Sequence, residues 1–316
     1  MTDKKAALRS LITQYEARQR RQMGIAILAG TTVLALAVFL APKPAPEPVE
    51  VAVEEGAPAV DAYEDLALSG KAAIVYDLAT GEVLFERNAK AQLPLASLTK
   101  LLTVYAAATS MPRDARVTLT DAALAADGES GFAAGETFTL DDLAKLALVS
   151  SSNDATEAIA LATESHRAQS GPTLLASAAA AIGLSQTYAL NGTGLDESTS
   201  VSGGYGSATD VAKLAGALLG AAPEIARAST EPALTIHSTT GVAHTLSNTN
   251  PDVVRVPGIM LSKTGFTDLA GGNLVVVYDA GIGHPVAVVV MGSTREGRFT
   301  DVAKLIKRTA DHFAGL

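Results

Sequence analysis

The longest apolar runs lie toward the C-terminal end: NLVVVYDA at 273–280 and PVAVVVMGS at 285–293. Short apolar runs rich in valine and bounded by glycine predict buried strands. Gly281–His284 reads as the hairpin between them, and Pro285 falls at a strand start, where its missing N–H is tolerated. KAAIVYD (71–77) and EVLFER (82–87), joined through Leu78–Gly81, predict a second hairpin. A helix opens in LPLASLTKLLTVYAAAT (93–109), and from Asp121 to about Leu219 the pattern is mainly helical and rich in Ala and Leu. ALTIHS (233–238) reads as a strand, and RFTDVAKLIKRTADHF (298–313) as an amphipathic helix. Strands at both ends with helices between them predict one α+β unit. Its sheet is antiparallel, flanked by N- and C-terminal helices, with an inserted, mainly helical lobe. The cleft between sheet and lobe is a natural place for a site.

Before this unit the pattern differs. Gly24–Ala41 is eighteen residues without a charge, roughly the length needed to cross a hydrocarbon core. Residues 1–41 hold six basic and two acidic side chains, all before that run, which predicts an N-terminus kept inside and a body outside. Arg20-Arg21 belongs to this charge and lacks the rest of a twin-arginine signal. A cleaved signal peptide is the rival, with Ala35-Leu36-Ala37 as its site, but apolar residues continue through Leu40. Leu8, Leu11, Ile12 and Tyr15 make an apolar stripe, read as a helical extension of the anchor or a partner-binding face. Four prolines within 42–48, followed by glutamates, predict a stiff spacer. The expected organisation is a basic segment (1–23), a transmembrane anchor (24–41), a linker (42–60) and a catalytic domain (61–316) in the periplasmic or extracytoplasmic space.

Composition narrows the chemistry. The 316 residues contain no cysteine, which excludes disulfides, thiolate metal sites and a cysteine nucleophile. The five histidines form no metal-binding spacing. With a net charge of −9 and a basic start, the remaining 275 residues carry −13, a poor partner for nucleic acid.

Three short motifs remain, and each has an ordinary explanation. Ser97 and Lys100 lie one helical turn apart: a nucleophile beside its base, or a cap beside a solvated charge. The apolar neighbours Leu98, Leu101 and Leu102 favour burial, which would lower the lysine's proton affinity. Ser151-Ser152-Asn153 precedes a helical stretch and reads as a cap when taken alone. Lys263-Thr264-Gly265, shortly before an apolar strand, reads as a polar turn, or as a place where glycine lets a substrate backbone approach. The ordered set Ser-x-x-Lys, Ser-x-Asn, Lys-Thr-Gly is far more specific than its parts, and each falls in the context the signature needs.

On these residues the chain resembles the D-alanyl-D-alanine carboxypeptidases among the low-molecular-mass penicillin-binding proteins. ATGEVLFERNAKAQLPLASLTKLLT, GETFTLDDLAKLALVSSSNDA, NGTGLDE and LSKTGFTDLAGGNLV look like family blocks in family order, over about residues 63–315. There are departures. The familiar Ser-Gly-Asn is Ser151-Ser152-Asn153, and the common Ser-Thr-Ala-x-Asp is Gly206-Ser207-Ala208-Thr209-Asp210. A C-terminal β-rich domain with its membrane anchor, common in relatives, is not expected here, and the N-terminal helix is expected to anchor instead.

The resemblance implies roles. Ser97 attacks the penultimate D-Ala carbonyl of a peptidoglycan stem peptide, and neutral Lys100 takes its proton. Ser151, between Lys100 and Lys263, passes a proton to the leaving amine. Asn153 binds the substrate's side-chain amide. Lys263 and Thr264, on a strand edge that can pair with the peptide, attract the terminal carboxylate. With Gly265 letting the strand approach, backbone N–H groups of Ser97 and Phe266 form the oxyanion hole. No metal or organic cofactor is implied, and β-lactams should acylate Ser97. The partners are the stem peptide, β-lactams and the membrane; oligomeric state is unreadable.

Three rivals remain. A D,D-endopeptidase uses the same residues. A class A β-lactamase needs a Glu-Pro-x-Leu-Asn loop; Glu231-Pro232-Ala233-Leu234-Thr235 lacks the Asn and lies too far from the second motif. A non-enzymatic wall scaffold would be expected to have lost part of the set. A histidine-dependent hydrolase is disfavoured because there is no Gly-x-Ser-x-Gly elbow.

Overall fold

The computed structural model describes residues 13–24, 26, 62–128, 131–281 and 283–315. Residues 13–24 form helix α1, exposed throughout. No helix among the described residues is long and apolar enough to cross a membrane. The expected anchor at 24–41, apart from positions 24 and 26, and the spacer at 42–60 lie outside the described residues.

Residues Ala59–Leu316 make one compact unit. Its sheet is wholly antiparallel, in the order β10 (Ile259–Thr267), β11 (Gly271–Asp279), β12 (Pro285–Ser293), β1 (Ala72–Asp77), β2 (Val83–Arg87). The valine runs are buried on both faces, which is why they read as continuous rather than alternating. Ile74, Val275, Val277, Ala287 and Val289 point into the helical lobe. Their neighbours Val75, Leu274, Val276, Val286, Val288 and Val290 pack on the other face with Val302 and Leu305 of α8 (Gly297–Phe313). A fully buried valine contributes about 1.5–3 kcal/mol relative to exposure, so a charge at Val289 would cost far more than one at α8's solvent face.

The lobe between the hairpins holds α2 (Thr99–Ser110), α3 (Leu140–Ser150), α4 (Asn153–Arg167), α5 (Gly171–Ala181), α6 (Ala208–Ala221) and α7 (Pro223–Ala228). α2 is its centre, with eight of its twelve residues buried. Two- and three-residue strands, absent from the periodicity reading, punctuate the lobe: β3 (Leu93–Pro94) pairs with β7 (Gly204–Gly206), β7 with β6 (Tyr188–Ala189), and β4 (Arg116–Thr118) with β5 (Thr137–Thr139). Glu231 and Pro232 lead into the hairpin of β8 (Ala233–His237) and β9 (Ala243–Ser247). The arrangement leaves β10 as an edge strand, with the entry to α2 packed against it.

Candidate active site

The chain enters α2 through a 3-10 turn, Ala96–Leu98. Strands hold this turn from two sides. Leu95 N–H donates to the Gly204 carbonyl at 2.9 Å. Asn273 Nδ2 donates to the carbonyls of Pro94 and Leu95, both at 3.0 Å, while its Oδ1 accepts the Gly292 N–H at 2.8 Å. Ala96 is left-handed, with φ 48°, a conformation that an alanine keeps only where its surroundings over-determine it. Gly194 is part of that constraint, since a Cβ there would overlap the Ala96 carbonyl.

Ser97 does not cap α2. The N-cap is Leu98, without a side-chain bond, and Ser97 Oγ instead accepts from Lys100 Nζ at 2.9 Å. Lys100 is wholly buried, as its leucine neighbours suggested, and its Nζ also donates to the Thr193 carbonyl at 2.8 Å. Burial lowers its pKa from the ordinary 10.5 to about 7, against an opposing pull from the Glu157 carboxylate.

At the α3–α4 junction the two serines divide. Ser152 is the cap, its Oγ accepting from the Ala155 N–H at 3.1 Å. Ser151 ends α3 in the left-handed conformation, φ 59°, and its Oγ accepts from Lys263 Nζ at 2.8 Å. Asn153 opens α4; its amide donates to the Asp127 carbonyl, and its Oδ1 is buried with no partner among the described residues. The bond from Ser151 runs to Lys263, whereas Lys100 turns to Ser97 and Thr193; the position between both lysines is therefore realised on one side only.

Lys263, Thr264 and Gly265 lie inside β10, not in a turn before a strand. Their polar character hid the strand, because the side chains are buried but satisfied. Lys263 Nζ donates to Ser151 and to the Thr264 carbonyl, each at 2.8 Å. Thr264 Oγ1 lies 2.6 Å from Thr249 Oγ1. The Lys263 pKa is held well below 10.5, first by burial, then by the charges of Lys100 and Arg298. Gly265 also lets the turn before α2 lie close: a Cβ there would lie 2.9 Å from the Leu95 carbonyl and 3.3 Å from the Ser97 nitrogen. Arg298, buried, donates to the Gly265 carbonyl at 2.6 Å. Beside it Phe266 carries the Arg295 guanidinium 3.7 Å above its ring.

The three motifs therefore meet in one place. Sequence reasoning did not single out Thr193, Asn273, Arg298 and Thr249. Asn273 had a signal, as the one amide opening an apolar run, and Thr193 lay within the NGTGLDE block. Thr249 and Arg298 had none, since each acts across the fold. A hydroxyl beside an amine that loses its proton near neutrality can serve as a nucleophile with its own base. A second hydroxyl and a buried cation on a strand edge lie next to it.

Residues 59–295 match the D-alanyl-D-alanine carboxypeptidase family. DacF of Bacillus subtilis, a D-alanyl-D-alanine carboxypeptidase, is 29% identical over 248 residues, 77% of this chain and 62% of its own. DacC of Escherichia coli, of the same description, is 30% identical over 269 residues, covering 79% of this chain and 61% of its own. The chain thus spans about three fifths of the length of these curated relatives. Penicillin-binding protein D2 of Listeria monocytogenes, solved with ampicillin bound, superposes with a TM-score of 0.66 at 28% identity, covering 78% of this chain and 98% of its own. With three quarters of its length matched and the three motifs gathered in one place, the chain belongs to the D-alanyl-D-alanine carboxypeptidase family.

Proposed function

We propose that this protein removes the terminal D-Ala from peptidoglycan stem peptides through an acyl-enzyme on Ser97. The observation that carries the reading is the fully buried Lys100 amine, with a pKa of about 7 and 2.9 Å from Ser97 Oγ. Ser97 Oγ adds to the penultimate D-Ala carbonyl and its proton passes to Lys100. The tetrahedral intermediate collapses, the C–N bond breaks, and the leaving amine of D-Ala takes a proton from the Ser151 hydroxyl, which is replaced by the proton Lys100 took from Ser97. Water then adds to the ester carbonyl as Lys100 takes its proton, and the ester C–O bond breaks as Lys100 returns that proton to Ser97 Oγ. The N–H groups of Ser97 and Phe266 stabilise the oxyanion; one such donor contributes about 3 kcal/mol. Lys263 and Thr264 hold the terminal carboxylate, and Asn153, whose Oδ1 has no partner among the described residues, binds the substrate's side-chain amide. The edge position of β10 in the sheet supports pairing with an extended peptide.

β-Lactams acylate the same serine in this reading, as the ampicillin-bound relative suggests. The uncharged run Gly24–Ala41 and the basic residues before it support a membrane-anchored protein with its catalytic unit on the outer side. The test is D-Ala release from a pentapeptide ending in D-Ala-D-Ala. One D-Ala per peptide is expected, and none from Ser97→Ala. Folded protein that releases no D-Ala but opens cross-linked peptides would instead be an endopeptidase.

A further inference from the structure

Thr249 stands outside the three motifs, yet its hydroxyl oxygen lies 2.6 Å from that of Thr264. The segment that carries it is tied to both the helical lobe and the sheet. The Thr249 backbone N–H donates at 3.1 Å to the carbonyl of Val149, two residues before Ser151 in the last turn of α3. Its neighbours fix it further. Asn250 Nδ2 donates to Ser262 Oγ at 2.9 Å, and Asn248 Nδ2 donates to the carbonyls of Ser229 and Glu231, both at 2.8 Å. Ser229 Oγ in turn accepts the Ser262 N–H at 2.9 Å. Three consecutive side chains thus reach across the fold, and the outer two set the place of the middle one. Thr249 is half-buried, whereas Thr264 is buried.

We infer that Thr249 is a positioning residue for the terminal carboxylate: it donates its hydrogen to Thr264 Oγ1 and so turns the Thr264 hydrogen toward the ligand. The inference rests on the acyl-enzyme reading above, in which Lys263 and Thr264 meet that carboxylate. Either hydroxyl can be the donor in the bond between them. Each has one hydrogen and two lone pairs, so one hydrogen lies between the oxygens and the other is left for a third group. An ionised carboxylate only accepts, so it selects the arrangement in which the hydroxyl beside Lys263 keeps its hydrogen free. Lys263 Nζ already uses two of the three donors of a charged amine, on Ser151 and on the Thr264 carbonyl. That leaves one donor from Lys263 and one from Thr264 for the two carboxylate oxygens. Hydrogen bonds in a chain polarise one another, so Thr249 also makes Thr264 the stronger donor.

The test is kcat/KM of full-length wild type, Thr249→Val and Thr249→Ser on a pentapeptide ending in D-Ala-D-Ala and on its C-terminal amide. Valine keeps the backbone bond to Val149 and removes the hydroxyl. Thr249→Val should lower kcat/KM on the acid about three- to tenfold and on the amide by less than about twofold. Thr249→Ser should restore most of the loss. The acid-to-amide ratio, taken on one preparation, is independent of the folded fraction and is not moved by a merely structural role. An unchanged ratio overturns the inference. Because Thr249 acts through Thr264, Thr249→Val should add nothing in a Thr264→Val background; an undiminished further loss there would mean direct contact with the carboxylate and overturns the positioning role. A second readout needs no turnover: the Kd of the pentapeptide for full-length Ser97→Ala should weaken by the same three- to tenfold on adding Thr249→Val. If wild type releases D-Ala from neither substrate, the acyl-enzyme reading fails and this Kd alone decides the role of Thr249. No binding of the acid, or a Kd that Thr249→Val leaves unmoved, then overturns the inference.

Discussion

The two lysines of the site are held in the same way and surrounded differently. Each is buried and donates to one serine hydroxyl and one backbone carbonyl: Lys100 to Ser97 and Thr193, Lys263 to Ser151 and Thr264. Beyond these bonds, Lys100 has the carboxylate of Glu157 in range, whereas Lys263 meets the cations Lys100 and Arg298. The scaffolding fixes where each amine lies, and the next layer of charge sets what each can do. In the proposed reading Lys100 carries the proton and Lys263 meets the substrate carboxylate, an opposite charge that would favour its charged form.

The largest effects should come from the Lys100 side. Lys100→Ala removes the base and should slow acylation of Ser97 by about 10²- to 10⁴-fold, read as the label rate with a penicillin. Lys263→Ala should weaken capture of the carboxylate by about tenfold to a hundredfold in kcat/KM. It should affect esters or amides that lack the carboxylate much less. If both substitutions cost the same on both substrates, the division of labour between the lysines is wrong.

Stability sharpens the same contrast. Lys100 has a native pKa of about 7 against an ordinary 10.5, so between these values the unfolded chain binds more protons than the folded one. Its contribution is fully favourable above 10.5 and is lost as pH falls toward 7, by about 5 kcal/mol at about 1.4 kcal/mol per unit. Lys100→Met should therefore melt higher than wild type at pH 7, and the difference should shrink as pH rises toward 10. Wild-type acylation should rise with pH through about 7 as the base loses its proton. The smallest effect belongs to Asn273→Ala, which frees the carbonyls of Pro94 and Leu95; a loss of about 1–3 kcal/mol is expected by denaturant melt.

The sheet was readable where burial on both faces left a continuous apolar signal, as in β1, β11 and β12. β10 was not, because Ser262, Lys263 and Thr264 are buried polar groups whose partners, Asn250, Ser151 and Thr249, lie elsewhere in the chain. Ser151 and Ser152 were indistinguishable as caps until the left-handed turn separated them. Ala96 carries no mark of its own positive φ, and its carbonyl has room only because residue 194 has no side chain. Local patterns thus name the reactive side chains, while the groups that hold and tune them, Asn273, Thr193 and Glu157, depend on contacts made across the fold.

The central claim is that Ser97 is acylated with Lys100 as its base. Full-length protein incubated with a fluorescent penicillin, beside Ser97→Ala, and read by gel and intact mass tests it most directly. A single stable adduct on wild type, mapped to the peptide containing Ser97 and lost in the variant, is the predicted result. An adduct that persists in folded Ser97→Ala, or no adduct on folded wild type at any pH from 6 to 9, would contradict it.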